Sequence, residues 1–229
     1  MAPFSDFEAG SERNTSLMTL NPKLKLIEHP VAQHKLHVLR DKNTTPHTFR
    51  QIVEELSALL AYEATRDLKT RATTVETPLE KAETRVVDEG VTLVAIMRAG
   101  MGMLGGMLPI LPFATVGHIG IYRDKFIHST VEYYLRLPRD VKGKRVLLLD
   151  PLLATGDTLC AAIERLKELE VGSIRCLNLL ASPQGLERMA HLHPDVEIYT
   201  LSIEKGLNDR GYLLPGLGDA GDRLFDTIQ

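Results

Sequence analysis

Asp150 ends the hydrophobic run RVLLLD (Arg145–Asp150) and is followed by Pro151, Leu152, Leu153, Ala154, Thr155, Gly156, Asp157 and Thr158. A small-residue turn that opens a helix lets successive backbone N–H groups converge on one anion, and the helix dipole adds to the attraction. Thr155 and Thr158 can add hydroxyl donors to a phosphate monoester, while Asp150 can accept hydrogen bonds from sugar hydroxyls. The G-x-x-x-x-G-K-[ST] spacing and its lysine are missing, so this is not a Walker loop. Taken alone, the segment reads equally well as an ordinary strand–turn–helix. Two arginines follow other apolar runs. Arg98 comes after VTLVAIM (Val91–Met97) and opens a glycine-rich turn, and Arg123 follows ATVGHIGIY (Ala114–Tyr122). A guanidinium is permanently charged and presents a planar fork suited to phosphate oxygens. Either arginine alone reads as a surface salt-bridge partner. At successive strand ends, the pair suits a departing polyanion.

These residues need elements to carry them. With IRCLNLLA (Ile174–Ala181) and VEIYTLSI (Val196–Ile203), the apolar runs number five, and near-continuous hydrophobicity predicts strands buried on both faces of a parallel sheet. Helical patterns lie between or before them. Thr158 to Leu169 places Leu159, Ala162, Ile163, Leu166 and Leu169 on one face, and Gln184 to Ala190 is a weaker case. Phe49 to Leu68 is amphipathic, with Thr48 and Gln51 as its capping box. The fold class is therefore α/β: a doubly wound, mainly parallel sheet flanked by helices. In such sheets ligands bind beyond the carboxyl ends of the strands, where Arg98, Arg123 and Asp150 stand. Residues 1–20 read as a mobile tail and 21–229 as one domain. The run Pro215–Asp222 (PGLGDAGD) is too glycine-rich for a strand and leaves its backbone open to a planar ligand; Asp222 and Arg223 read equally as a structural pair closing it.

Composition narrows the classes. The 229 residues carry 27 Lys+Arg against 30 Asp+Glu, a net charge of −3, which argues against a protein whose main work is coating nucleic acid. Two cysteines, Cys160 and Cys176, give neither a disulfide framework nor a zinc site and fit a reducing cytoplasm. The N-terminus carries Asp6, Glu8 and Glu12 and has no apolar core, so it is not read as a signal peptide. No Asp, Glu, Lys or Arg lies between Arg98 and Arg123, yet the glycines and prolines there favour loop, helix and buried strand over a membrane span. His34/His37 and His191/His193 lack the further ligands a metal site needs. Asn21 to Arg50 is locally basic, with Lys23, Lys25, Lys35, Arg40, Lys42 and Arg50 against Glu28 and Asp41. It reads as a solvated face or as a phosphate or partner surface.

A hydrophobic strand, an acid and ATG-x-[ST] resemble the phosphoribosyl-pyrophosphate motif of type I phosphoribosyltransferases. Asp150-Pro151, in place of two adjacent acids, resembles the uracil phosphoribosyltransferases, whose motif reads DPMLATGGS. RAGMGM (Arg98–Met103), YEATRDL (Tyr62–Leu68), IYRD (Ile121–Asp124) and GLNDRGYLLPGLGDAGDR (Gly206–Arg223) are similar to segments of the same family, so the likeness runs from about Leu26 to Phe225. It implies transfer of a phosphoribosyl group from 5-phosphoribosyl 1-pyrophosphate (PRPP) to uracil, giving UMP, with Mg²⁺ carried by PRPP. It implies PRPP contacts from Arg98, Arg123, residues 150–158 and Asp219, and uracil contacts from Leu213, Gly218, Asp219 and Ala220 in a C-terminal base-binding hood. Arg98, Arg123, Asp150 and Asp219 would form the catalytic set, with Asp219 either removing the ring proton or only lining the site. A homodimer or homotetramer and a GTP effector, sought in the basic segment, are further implications. A regulator that binds uridine nucleotides or RNA on the same scaffold is the alternative. The chain departs from the family at Asp157 (usually Gly), Ala95 (Pro), Leu152 (Met), and in KFIHSTVEYY (Lys125–Tyr134), which lacks E-T-L-x-P. Asp124 to Arg136 is expected to form a flexible hood that excludes water.

Overall fold

The computed structural model describes residues 21, 23–124 and 129–227; the expected tail over residues 1–20 lies outside them. The apolar runs form the strands they predict. β1 (Leu24–Leu26) is followed by α1 (Pro30–Arg40) and α2 (Pro46–Ala64), then by the strands β2 (Thr70–Glu76), β3 (Lys81–Val87) and β4 (Val91–Met97). After α3 (Met101–Ile110) come β5 (Thr115–Asp124), β6 (Ser129–Arg136), β7 (Arg145–Leu149) and the two-residue β8 (Leu152–Leu153). The rest is α4 (Asp157–Glu168), β9 (Ser173–Ala181), α5 (Pro183–Leu192), β10 (Glu197–Ile203), β11 (Gly206–Leu207), β12 (Leu213–Leu214) and α6 (Ala220–Phe225).

The main sheet runs β1-β10-β9-β7-β4-β5-β6, with β8 also pairing β9. Every pair in it is parallel except β5 with β6. Side chains alternate across the strands, which builds two cores. Leu147 and Leu149 face α1, α2 and α3 with Leu93, Leu177 and Leu201. Val146 and Leu148 face α4 and α5 with Val94, Cys176 and Ile198. β4 and β7 are neighbours, yet the helices that follow them, α3 and α4, lie on opposite faces. This is the topological switch point, where the carboxyl ends of a doubly wound sheet part to leave a crevice.

Two expectations are corrected, and one hairpin is new. The helix predicted over Phe49–Leu68 spans Pro46–Ala64: Thr45 is the N-cap, accepting from Thr48 N–H at 3.3 Å, and Pro46 fills the first helical position it suits. Thr48 is thus inside the first turn, and Gln51 bonds Glu55 instead of closing a capping box. The expected hood over Asp124–Arg136 is largely a strand, β6, which lies antiparallel to β5 with Tyr133 and Tyr122 rings 5.9 Å apart; residues 125–128 lie outside the described part. The hairpin β2–β3 was not expected, because its exposed, polar sequence offers no apolar face to read. Among the described residues no helix is long and apolar enough to cross a membrane.

Gly100 packs where the turn after β4 meets the end of β7. A Cβ there would lie 2.2 Å from Leu149 O and 2.7 Å from Ile96 N and O, backbone atoms that cannot swing aside. Gly100→Ala is expected to destabilise the protein by about 3 kcal/mol. Urea unfolding of the variant against wild type measures it.

Candidate active site

Three loops meet at the carboxyl ends of the central strands. The first follows β4 and carries Arg98. Its guanidinium donates to Asp222 Oδ1 at 3.1 Å and to Thr227 Oγ1 at 3.0 Å, and Thr227 donates to Asp222 in turn at 2.7 Å. The expected Asp222–Arg223 pair therefore does not form. Arg223 turns away to the carbonyls of Leu217 and Asp41, at 2.9 and 2.7 Å, and stacks 4.4 Å from the Phe49 ring centroid. One sequence-adjacent pair was read where the fold supplies a long-range one, because consecutive helical residues point to different sides. Arg123 lies one residue before the end of β5, and its side chain lies outside the described part.

The second loop follows β7 and holds residues 150–158. Its carbonyls are turned back into the protein. Pro151 O accepts from Leu179 and Leu180 N–H at 2.8 and 3.1 Å, Leu153 O from Ser182 N–H at 2.8 Å, and Ala154 O from the Ser182 hydroxyl. Oxygens that would repel an anion are thereby occupied elsewhere. Gly156 takes φ of +84°, a left-handed conformation that glycine adopts without steric cost, and serves as the N-cap of α4. The loop thus ends on the N–H groups of a helix start, of which that of Asp157 donates to Thr155 Oγ1 at 3.4 Å, an arrangement that suits an anion. Asp157 Oδ2 accepts from the Thr155 hydroxyl at 2.9 Å, and Asp157 Oδ1 lies 2.8 Å from Arg188 Nη1.

The third loop follows β10. Leu213 lies in β12, paired antiparallel with β11, and Asp219 is the N-cap of α6, accepting from Asp222 N–H at 2.9 Å. Gly218 and Ala220 flank it. A cavity of about 370 Å³ opens on this loop, lined by residues 215–219 with Arg40, Lys42, Asp222 and Arg223. A larger open groove, about 820 Å³, lies along β1 beside Arg175 and Tyr199, whose strands begin there, and shares no lining residue with these loops.

Sequence reading missed Glu204, Arg40 and Asn178 as supports. Glu204 is buried just past β10, where Arg40 grips both carboxylate oxygens at 2.8 and 2.5 Å and Gly216 N–H donates to Oε2 at 2.7 Å. Burial opposes its charge, but Arg40, Gly216 and Ser202 outweigh burial and hold the carboxyl below its ordinary range. A lone acid directly after an apolar strand was the available signal. Asn178 donates to the Asp150 carbonyl at 2.6 Å from the neighbouring strand.

Asp150 is the perturbed acid of the site. Burial, with the nearby negative charge of Asp219 adding to it, pushes its carboxyl up to about 7 against the opposing Leu152 N–H bond. A carboxyl raised in the folded state binds its proton more tightly there than in the unfolded chain. Stability is unaffected below about pH 4, falls as pH rises from 4 toward 7, and stays reduced above. Asp150→Asn is therefore expected to raise the melting temperature at pH 8 and to leave it unchanged at pH 4, in melts recorded across that range.

With the geometry in hand, the comparisons are direct. A family model described as uracil phosphoribosyltransferase matches residues 26–227. The uracil phosphoribosyltransferase of Variovorax paradoxus is 49% identical over 203 residues, 88% of this chain and 97% of that protein. That of Thermus thermophilus is 48% identical over 206 residues, 90% and 99% of the two chains. A solved structure of a protein from Aquifex aeolicus superposes with a TM-score of 0.84 at 36% identity, covering 88% of this chain and 97% of that one.

Proposed function

Because the chain belongs to the uracil phosphoribosyltransferase family, we propose that the crevice between β4 and β7 holds PRPP and that the loop after β10 holds uracil. The protein is a transferase: it moves the phosphoribosyl group of PRPP to uracil, giving UMP and pyrophosphate, a reaction of pyrimidine salvage. The observation that supports the site reading is that the three loops adjoin: Arg98 bonds the C-terminal loop at Asp222, a Cβ on Gly100 would meet Leu149 O, and a Cβ on Gly211 would lie 4.0 Å from Thr155 Cγ2.

The 5′-phosphate takes the N–H groups of residues 155–158 at the start of α4, with Thr158 adding its hydroxyl. Asp150 accepts from the ribose hydroxyls and is fixed by Asn178. Arg98 and Arg123 receive the departing pyrophosphate, whose negative charge grows as the glycosidic bond breaks. Positive charge develops at the anomeric carbon in such transfers, and the ionised forms of Asp150 and Asp219 would stabilise it. Main-chain groups of Leu213, Gly218 and Ala220 read the uracil edge. Cytosine inverts one donor and one acceptor, and mispairing in a hydrogen-bonding site can cost about 10⁴-fold.

Mg²⁺ fits this set of residues as a cation that arrives on PRPP. The negative charge of Asp219 acts on Asp150, which suits a cation brought in by the donor. When bound with PRPP, the ion would supply charge neutralisation to the phosphates. Asp150 and Asp219 are the residues that would face it.

Self-association into a homodimer or homotetramer is supported by the apolar row Met101, Leu108, Ile110 and Phe113, exposed on and just beyond α3. A GTP effector rests on the family resemblance. In the basic segment Lys23, Lys35, Arg40 and Arg50 already bond within the chain, which supports a structural share for that charge. A cytoplasmic setting is supported by two free, buried cysteines.

The test is UMP formation from uracil, PRPP and Mg²⁺, with cytosine and hypoxanthine as competing bases. Wild type is expected to make UMP selectively from uracil, and Asp150→Ala to lower the rate by about a hundredfold. Absence of product from wild type would overturn the function; product undiminished in Asp150→Ala would overturn the site.

A further inference from the structure

Asp157 stands in the first turn of α4, inside the loop assigned to the donor phosphate, and its carboxylate carries the same sign as that ligand. The fold supplies a partner for that charge. Arg188 reaches from α5 to put Nη1 2.8 Å from Asp157 Oδ1. The same side chain lies against the loop's turn: a Cβ on Gly156 would meet Arg188 Cδ at 3.3 Å. It also faces Cys160, whose thiol burial raises and Arg188 lowers. The helix that delivers Arg188 is itself tied to the loop, since its N-cap Ser182 accepts from Gly185 N–H at 2.8 Å while donating to Ala154 O.

Two consequences follow from elementary chemistry. A threonine hydroxyl has one proton, and that of Thr155 is directed to Asp157 Oδ2 at 2.9 Å, so it is not offered to a phosphate at the same time. An uncompensated carboxylate in the loop would repel the dianion across a few ångström. The Asp157 side chain is 15% exposed and that of Arg188 47%, so the pair is partly screened but not fully solvated.

We propose that Arg188 is a positioning residue for the phosphoribosyl donor, cancelling the charge of Asp157 and holding its carboxylate, with Thr155, beside α5 so that it does not repel the 5′-phosphate at the start of α4. The inference rests on the donor site proposed above. Arg188 acts through Asp157 and not on the reacting atoms, which makes it separable from the catalytic set.

The experiment compares wild type, Arg188→Ala, Asp157→Asn and the double variant by KM for PRPP, by kcat, and by calorimetric titration with ribose 5-phosphate, which carries the monoester alone. Arg188→Ala is expected to raise both KM and the ribose 5-phosphate Kd by about tenfold, with kcat changed by less than about twofold. The double variant is expected to recover most of the affinity that Arg188→Ala loses, because no carboxylate is left to neutralise, so that loss of Arg188 costs less on the Asp157→Asn background than in wild type. Melting curves confirm that each variant is folded. Unchanged ribose 5-phosphate affinity in Arg188→Ala would reduce the pair to a surface contact and overturn the proposal. Equal weakening in Arg188→Ala and the double variant would overturn it too, by placing the effect outside Asp157. If wild type forms no UMP, the function fails, while the ribose 5-phosphate titration still decides the role of the pair.

Discussion

The structure depends on one constraint of chain path: β4 and β7 lie side by side and parallel, but feed helices on opposite faces of the sheet. Their carboxyl ends cannot be bridged by a shared covering helix, so a crevice opens there. The proposed site residues are delivered toward it. The turn after β4 brings Arg98, the turn after β7 brings Asp150 and a helix N-terminus, and the sheet's next parallel strands bring Asn178 and the loop after β10. Because the strands are buried on both faces, each loop is anchored in a core that fixes where it leaves the sheet.

Charge placement then divides the labour. Glu204 is buried and fully engaged, and its grip on Arg40 and Gly216 ties α1 to the loop after β10. Removing one partner of such a pair leaves a buried charge uncompensated, so its value is as a fixed joint more than as net stabilisation. Asp150 is the opposite case. It is crowded by protein, repelled by Asp219 and supported by one long hydrogen bond from Leu152 at 3.4 Å. A carboxyl left under-satisfied in this way is poised for ligand groups, and perturbed acids of that kind collect at functional sites.

Much of this was legible in the chain. VTLVAIM and RVLLLD became β4 and β7 because uninterrupted apolar runs can be satisfied only between two helical layers. ATGDT became a helix start because small residues and a left-handed glycine allow that turn. Less was visible where a residue's role depends on distant partners. Asp222 was read with its neighbour Arg223, yet its partner is Arg98, 124 residues away in sequence. The strand at Ser129–Arg136, within the segment Asp124–Arg136 expected to form a flexible hood, is not legible because a mixed polar and aromatic strand on the sheet edge has no strong apolar signal. The hairpin β2–β3 escaped for the same reason, since its strands pair with each other and are largely exposed.

The most direct measurement is a crystal structure of the protein with UMP. The account predicts the monoester on the N–H groups of residues 155–158, the ribose hydroxyls on Asp150, and the uracil edge on main-chain groups of Leu213, Gly218 and Ala220. UMP seated elsewhere, such as the groove along β1, or a base facing away from the loop after β10, would contradict it.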